Sequence, residues 1–146
     1  MHIKRLLLLL LLLAIYQLSN TSGLRVIDPT TWTNQAEYQQ HVPKNFLLDV
    51  QGEFYSPYDH MTDINFIMHK LAHIIFYALL AYLLLINLKR QVGWAVFFLF
   101  LAALGDEIHQ FYIVGRSGRA LDVLVDVAAG TVAIIVIQWI TKRKIN

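Results

Sequence analysis

Three ionisable side chains stand inside strongly apolar stretches of the sequence. They are His73, Glu107 and Asp126. A histidine beside a buried carboxylate titrates near neutral pH and can transfer protons, so His73 and Glu107 are candidates for a catalytic acid/base pair. The alternative is a hydrogen-bonded polar cluster that only orients helices.

Further polar residues follow these three at helical spacing. The pairs that share a helix face are His69 with His73, Gln110 with Glu107, and Asp122 with Asp126. Lys70 and His109 lie near the same layer. A charge that faces lipid costs at least about 2.5–3.5 kcal/mol, so these faces should turn toward one another or toward a water-filled cavity. The spacing therefore predicts a polar pocket.

The segment VGRSGR adds two arginines next to this layer. Gly115 and Gly118 indicate a tight loop, which would fold Arg116 back over the pocket. A guanidinium there would pair with carboxylates or hold an anionic ligand such as phosphate. The predicted ligand-binding residues are Lys70, Gln110, Arg116, Arg119, Asp122 and Asp126. The two aspartates could instead hold a cation, but we expect Arg116 and Arg119 to neutralise them.

Metal binding is another use of these donors. His69 and His73 are four residues apart and could bind zinc together with Glu107 or Asp126. Lys70, however, stands where the metalloprotease helix motif has its glutamate. The chain also contains no cysteine, which excludes thiolate ligands, thiolate nucleophiles and disulfides. We therefore predict neither a metal ion nor a cofactor.

Four apolar segments must position these residues. The chain is 57% hydrophobic and has a mean hydropathy of +0.50, well above an ordinary soluble domain. Each membrane crossing takes roughly 20 residues. The segments are 6–18, 74–88, 92–104 (resuming at 111–114 after an acidic break) and 121–140. The sequence predicts an all-α integral membrane protein, an up-down bundle of four helices.

Basic clusters indicate how the bundle is oriented. They occupy residues 4–5, 89–90 and 142–144, and cytoplasmic loops are enriched in lysine and arginine. We therefore expect both termini to be cytoplasmic. At about 1.5 Å per residue, His73, Glu107 and Asp126 each lie roughly 24–25 Å from the nearest basic cluster, at one level beneath the outer interface.

The expected division of the chain has three parts. Residues 1–18 form a transmembrane helix, 19–62 an extracytoplasmic loop, and 63–146 a three-helix region. A basic start and a short leucine core also describe a cleavable signal peptide, but no A-x-A-like site is present, so we expect a retained helix. The loop is too short to fold alone, and we expect a lid whose aromatic residues lie at headgroup depth.

The segments HKLAHIIFYALLAYLLL and ALGDEIHQFYIVGRSGRALDVLVDVAAG resemble the VanZ-like family of small bacterial membrane proteins, which is associated with teicoplanin resistance. The resemblance covers roughly residues 63–140. The matching positions are Lys70, His73, Glu107, Gln110, Arg116, Asp122, Asp126 and Gly130. Many members carry asparagine in place of Asp126. The resemblance implies a multi-pass protein of the bacterial cell membrane that is tied to envelope or antibiotic response.

Three classes of function fit these residues. In the first, a non-catalytic pocket binds an envelope lipid headgroup or the glycopeptide. In the second, Glu107 and His73 serve an intramembrane hydrolase or transferase that acts on a lipid-linked cell-wall precursor. In the third, the polar layer is architectural and the function lies in partner contacts. The net charge of +2 and scattered basic residues argue against nucleic-acid binding, and no feature of the sequence indicates an oligomeric state.

Overall fold

The computed structural model describes residues 2–58 and 61–143. Within these ranges the chain forms four α-helices and no strands. The helices are α1 (His2–Ser19), α2 (Ile64–Asn87), α3 (Val92–Phe111) and α4 (Ala120–Arg143). Each is long and apolar enough to cross a membrane, which confirms the predicted fold class.

Local sequence explains where α2 begins and ends. The carboxylate of Asp63 caps the first turn by accepting a hydrogen bond from the Asn65 N–H at 2.8 Å. The helix therefore starts well before the apolar run of residues 74–88, and it includes the polar residues His69, Lys70 and His73. At the other end, Lys89 and Arg90 adopt positive φ values of 51° and 65° and reverse the chain into α3.

The helix α3 continues through the acidic stretch, as the depth estimate for Glu107 assumed. Residues 105–110 are helical, and α3 ends at Phe111. Glu107 and Gln110 are buried against protein rather than exposed to lipid, which allows these polar residues to stay within the helix. Residues 112–114, the last apolar residues of the third segment, lie beyond the helix and begin the turn into α4.

Contacts at the two ends establish the up-down arrangement. At one end, the Asn87 amide donates to the carbonyl of Lys4 at 3.1 Å, and the Arg90 guanidinium donates to the Thr141 hydroxyl at 3.0 Å. The described members of the three basic clusters therefore lie at the same end, as predicted; Lys144 lies outside the described residues. At the opposite end, Arg116 donates to the carbonyl of Leu18 at 3.1 Å.

Small residues allow α2, α3 and α4 to pack closely. Asp126, Gly130 and Ile134 form a buried stripe on α4, as their spacing predicts. A Cβ atom added at Gly130 would lie 2.4 Å from Leu99 Cδ2 and 3.0 Å from Ala81 Cβ. Residue 130 therefore sits where the three helices meet.

The connection between α1 and α2 folds onto the end of α3. It contains two short 3₁₀ helices, Pro29–Thr33 and Glu53–Tyr55. The rings of Phe46 and Phe111 stack with centroids 4.5 Å apart, and Phe54 packs edge-on against both. Phe46 and Phe54 are buried within the protein, where they attach the connection to the end of α3.

We propose that α1 is retained in the mature protein. Leu11 is buried in the core that the other helices form, and both ends of α1 accept hydrogen bonds from the rest of the bundle. We expect the intact mass of the membrane-extracted protein to include residues 2–19. A mass that lacks this segment would establish the signal-peptide alternative.

Replacing Gly130 by alanine should destabilise the bundle. The added methyl group would overlap Leu99 and crowd Ala81, and overpacking of this kind costs about 1–3 kcal/mol. Gly105→Ala is the matched control, because it makes the same change within a helix where a Cβ atom would meet nothing within 4 Å. Thermal unfolding in detergent should give a clearly lower midpoint for Gly130→Ala only. Equal midpoints would contradict the packing assigned to Gly130.

Candidate functional site

His73, Glu107 and Asp126 meet inside the bundle, and we call them the inner cluster. The Nδ1 atom of His73 lies 3.0 Å from Asp126 Oδ2 and 3.7 Å from Glu107 Oε1. The two acids are each 1% exposed. One side chain comes from each of α2, α3 and α4. The three residues that were predicted to lie at one depth are in contact.

Each carboxylate of the inner cluster has one oxygen that makes no hydrogen bond to the described part of the chain. Glu107 Oε2 accepts a hydrogen bond from the backbone N–H of Arg119 at 2.9 Å. Glu107 Oε1 and Asp126 Oδ1 are buried and make no hydrogen bond within the described ranges. Buried polar atoms are normally paired, so these two oxygens are acceptors available to a proton, a cation or a ligand.

A close backbone approach brings Arg119 to Glu107. A Cβ atom at Gly118 would lie 1.9 Å from the Glu107 carbonyl oxygen and 2.6 Å from the Phe111 nitrogen. Only glycine leaves room for the loop to lie against the last turn of α3. The glycine that the sequence indicated as a turn residue thus positions a hydrogen bond to Glu107.

An ion pair covers the inner cluster on the side of the long connection. Lys70 Nζ lies 2.5 Å from Asp122 Oδ1, and the Tyr58 hydroxyl donates to the same oxygen at 2.5 Å. Burial, and then the hydrogen bond to Asp122, raise the pKa of Tyr58 above its ordinary value, so the hydroxyl remains a donor. Lys70 is thus the ionic partner of Asp122, and His73 is the neighbour of Asp126, whereas we expected Arg116 and Arg119 to neutralise the two aspartates.

A separate group of side chains surrounds Arg116, and we call it the arginine network. Arg116 donates to Gln110 Oε1 at 2.7 Å. Asp106 Oδ2 accepts from the Gln110 amide at 3.0 Å and from the Tyr77 hydroxyl at 3.1 Å. Burial lowers the pKa of Arg116, and Asp106 and Glu107 oppose that effect through their charges.

Sequence reasoning missed Asp106. Its signal was present, because it directly precedes Glu107 in GDEIHQ. Adjacent positions on a helix point about 100° apart, so the two acids serve different neighbours. The Tyr77 hydroxyl of α2 donates to Asp106, so Tyr77 takes part in the polar layer as well as in packing.

Two adjoining cavities open beside these networks. The first, which we call the apolar cavity, has a volume of about 230 Å³. Apolar side chains of α1, α2 and the long connection form most of its lining, including Ile15, Leu18, Leu24, Val26, Ala72 and Phe76. The second, which we call the cationic cavity, has a volume of about 360 Å³. Its lining includes three cations and one acid, together with uncharged polar side chains: Lys70, Arg116, Arg119, Asp63, Tyr58, Asn65 and Ser117. Both cavities are bordered by Leu24, His69 and Arg116.

The predicted site residues therefore gather at one end of the bundle. His73, Glu107 and Asp126 are in contact, as are Lys70 with Asp122 and Gln110 with Arg116. Arg119 uses its backbone to bind Glu107, while its side chain donates to the Pro57 carbonyl. His109 lies elsewhere: its ring contacts Tyr16 and Asn20 on the side of α1.

Comparison with known proteins gives one match. The pattern of the VanZ/LLP1 family matches residues 5–141 of the 146-residue chain. No curated protein and no solved structure matches the chain significantly. The matched range takes in α1 and the long connection, and so extends well beyond the region 63–140 whose motifs carried the resemblance.

Tyr58→Phe should loosen the long connection. The change removes a hydrogen bond to a charged group, worth about 1.5 kcal/mol or roughly tenfold in the opening equilibrium. We expect trypsin to cleave after the exposed Lys44 several-fold faster, since cleavage follows the population of the open form. The control is Tyr82→Phe, whose hydroxyl makes no hydrogen bond in the described part of the chain. Equal cleavage rates would show that Tyr58 does not hold the connection closed.

Proposed function

The chain belongs to the VanZ/LLP1 family of membrane proteins, and we propose that it binds an anionic amphiphile of the bacterial envelope and thereby contributes to teicoplanin-type or envelope resistance. The observation that carries this proposal is the junction of an apolar cavity and a cationic cavity at His69 and Arg116. We further propose that both termini are cytoplasmic, so that this end of the bundle faces outward.

The apolar cavity suits a hydrocarbon chain. It lies between the C-terminal part of α1 and the first half of α2, and aliphatic and aromatic side chains form most of its wall. Ser19 also borders it, and the Ser19 hydroxyl is buried without a hydrogen-bond partner in the described chain. That hydroxyl can donate to an ester carbonyl at the start of an acyl chain.

The cationic cavity suits a phosphate. Arg116 borders both cavities, so one anion bound there would sit where a headgroup joins its hydrocarbon chain. Lys70 is held beside the Tyr58 and Phe66 rings, with Nζ 5.0 Å and 5.2 Å from their centroids. A preorganised ammonium and a planar guanidinium are the donors that phosphate groups favour. A phospholipid-type headgroup fits these volumes better than a whole glycopeptide does.

One observation favours a second candidate, an intramembrane hydrolase or transferase acting on a lipid-linked cell-wall precursor. His73 borders the apolar cavity and contacts both buried acids. A bound ester or phosphate would therefore lie near an imidazole backed by Glu107, which is the arrangement that acid/base catalysis requires. Purified protein should then consume the precursor, and Glu107→Gln should abolish turnover while binding persists. Binding without turnover would exclude this candidate.

Filling the apolar cavity should displace the bound amphiphile. Ala72 borders the cavity, so the ring in Ala72→Phe would occupy the space of the hydrocarbon chain. The control, Ala128→Phe, adds the same ring at an exposed position of α4. In native mass spectrometry we expect wild type and Ala128→Phe to retain an anionic lipid that Ala72→Phe has lost. Protein that carries no lipid in any form would count against the proposal.

Arg116→Gln should reduce both lipid retention and resistance. The substitution removes the cation at the junction of the cavities; Lys44→Gln makes the same change of net charge at an exposed site. In cells with matched protein levels, we expect only Arg116→Gln to lower the inhibitory concentration of teicoplanin. Unchanged resistance in Arg116→Gln and Ala72→Phe would contradict the pocket hypothesis and favour an architectural polar layer.

A further inference from the structure

We propose that the inner cluster binds a divalent transition-metal cation through His73 Nδ1, Glu107 Oε1 and a carboxylate oxygen of Asp126. This site does not depend on the proposed lipid binding. It rests on two separate observations: the spacing of the donor atoms, and the presence of buried carboxylate oxygens that protein groups leave unpaired.

The donor atoms have the spacing of a coordination shell. One ligand atom from each residue lies within 4.8 Å of the others. Ligands at about 2.0–2.2 Å from a tetrahedral metal are about 3.3–3.6 Å apart. The His73 Nδ1 distances, 3.0 Å to Asp126 Oδ2 and 3.7 Å to Glu107 Oε1, bracket that range. The third pair of donors, on Glu107 and Asp126, lies within 4.8 Å, so rotation of these two carboxylates would close the shell around one ion.

The unpaired oxygens point to a missing positive partner. Glu107 Oε1 and Asp126 Oδ1 make no hydrogen bond within the described chain, although both residues are 1% exposed. Nearby cations have other partners: Lys70 pairs with Asp122, and Arg116 donates to Gln110 and Leu18. Two carboxylates around one imidazole carry the charge that a divalent cation balances.

The donor types narrow the choice of metal. Magnesium and calcium favour shells made entirely of oxygen, whereas an imidazole nitrogen suits zinc, manganese or ferrous iron. With three protein ligands, at least one coordination position remains for water or a substrate oxygen. His73 also borders the apolar cavity, so the ion would lie next to the space proposed for the amphiphile.

This metal site differs from the prediction made from the sequence, which was that no metal is bound. The zinc alternative considered there used His69 and His73 with Glu107 or Asp126 as a further ligand. In the structure, the two histidine rings are neighbours, with centroids 4.6 Å apart, but His73 contacts both acids while His69 borders the two cavities. The proposed ligands therefore include both acids and only one of the two histidines.

Metal titration of purified protein tests the site. After chelator treatment, wild type in detergent is titrated with ZnCl₂ and MnCl₂ against a competing chelator dye. We expect saturable binding of one ion per chain and a rise in the thermal unfolding midpoint on loading. Glu107→Gln and Asp126→Asn should each weaken binding by more than about tenfold. Asp49→Asn and His41→Gln, at exposed positions, should bind as wild type does.

Spectroscopy of the wild-type protein tests the metal site even where the variants fail to fold. Loading wild type with Co²⁺ should produce the visible absorption bands of a four- or five-coordinate site with nitrogen and oxygen ligands, and Zn²⁺ should abolish them. Absence of saturable binding in wild type would overturn the proposal, as would equal affinity in Glu107→Gln, Asp126→Asn and the two controls. Lipid retention is measured separately, so loss of the metal site leaves the proposed function open to its own test.

Discussion

The contact of His73 with Glu107 and Asp126 is the constraint from which the rest of the bundle follows. A charged side chain inside a membrane is costly unless it faces protein, and each of α2, α3 and α4 carries one such residue at the same depth. Bringing them together fixes the rotation of three helices about their axes. Leucine contacts constrain rotation less strictly, because leucines can face lipid or protein at similar cost.

Once the helices are rotated in this way, the positions above and below the inner cluster are determined. One turn toward the long connection, Asp122 on α4 meets Lys70 on α2. One turn in the other direction, Gly130 faces Ala81 and Leu99, so the helices approach closely below the charged layer. A single face of α4 therefore carries both Asp126 of the inner cluster and Gly130 of the close packing.

Much of this arrangement could be predicted because helices are periodic. Apolar runs and basic clusters predicted four helices in an up-down order, and residue counts placed three ionisable groups at one level. The partners of Asp122 and Asp126 could not be derived in the same way, since they depend on how the 112–119 turn folds. The fold of that turn depends on the close approach of the Gly118 backbone to the Glu107 backbone. The spacing of residues in the sequence does not predict this approach. The burial of Phe46 and Phe54 depends on the same end of α3.

The apolar cavity beside α1 has a cause in the composition of that helix. Close helix packing needs small residues, and α1 presents a run of leucines that contains no glycine. It is fastened at its two ends instead, where Lys4 accepts a hydrogen bond from Asn87 and Leu18 accepts one from Arg116. Leu11 is its buried core residue, and most of its other leucines remain exposed for lipid to contact. A phosphate bound by Arg116 must compete with the Leu18 carbonyl for the guanidinium, so headgroup binding and the attachment of α1 draw on the same hydrogen-bond donors.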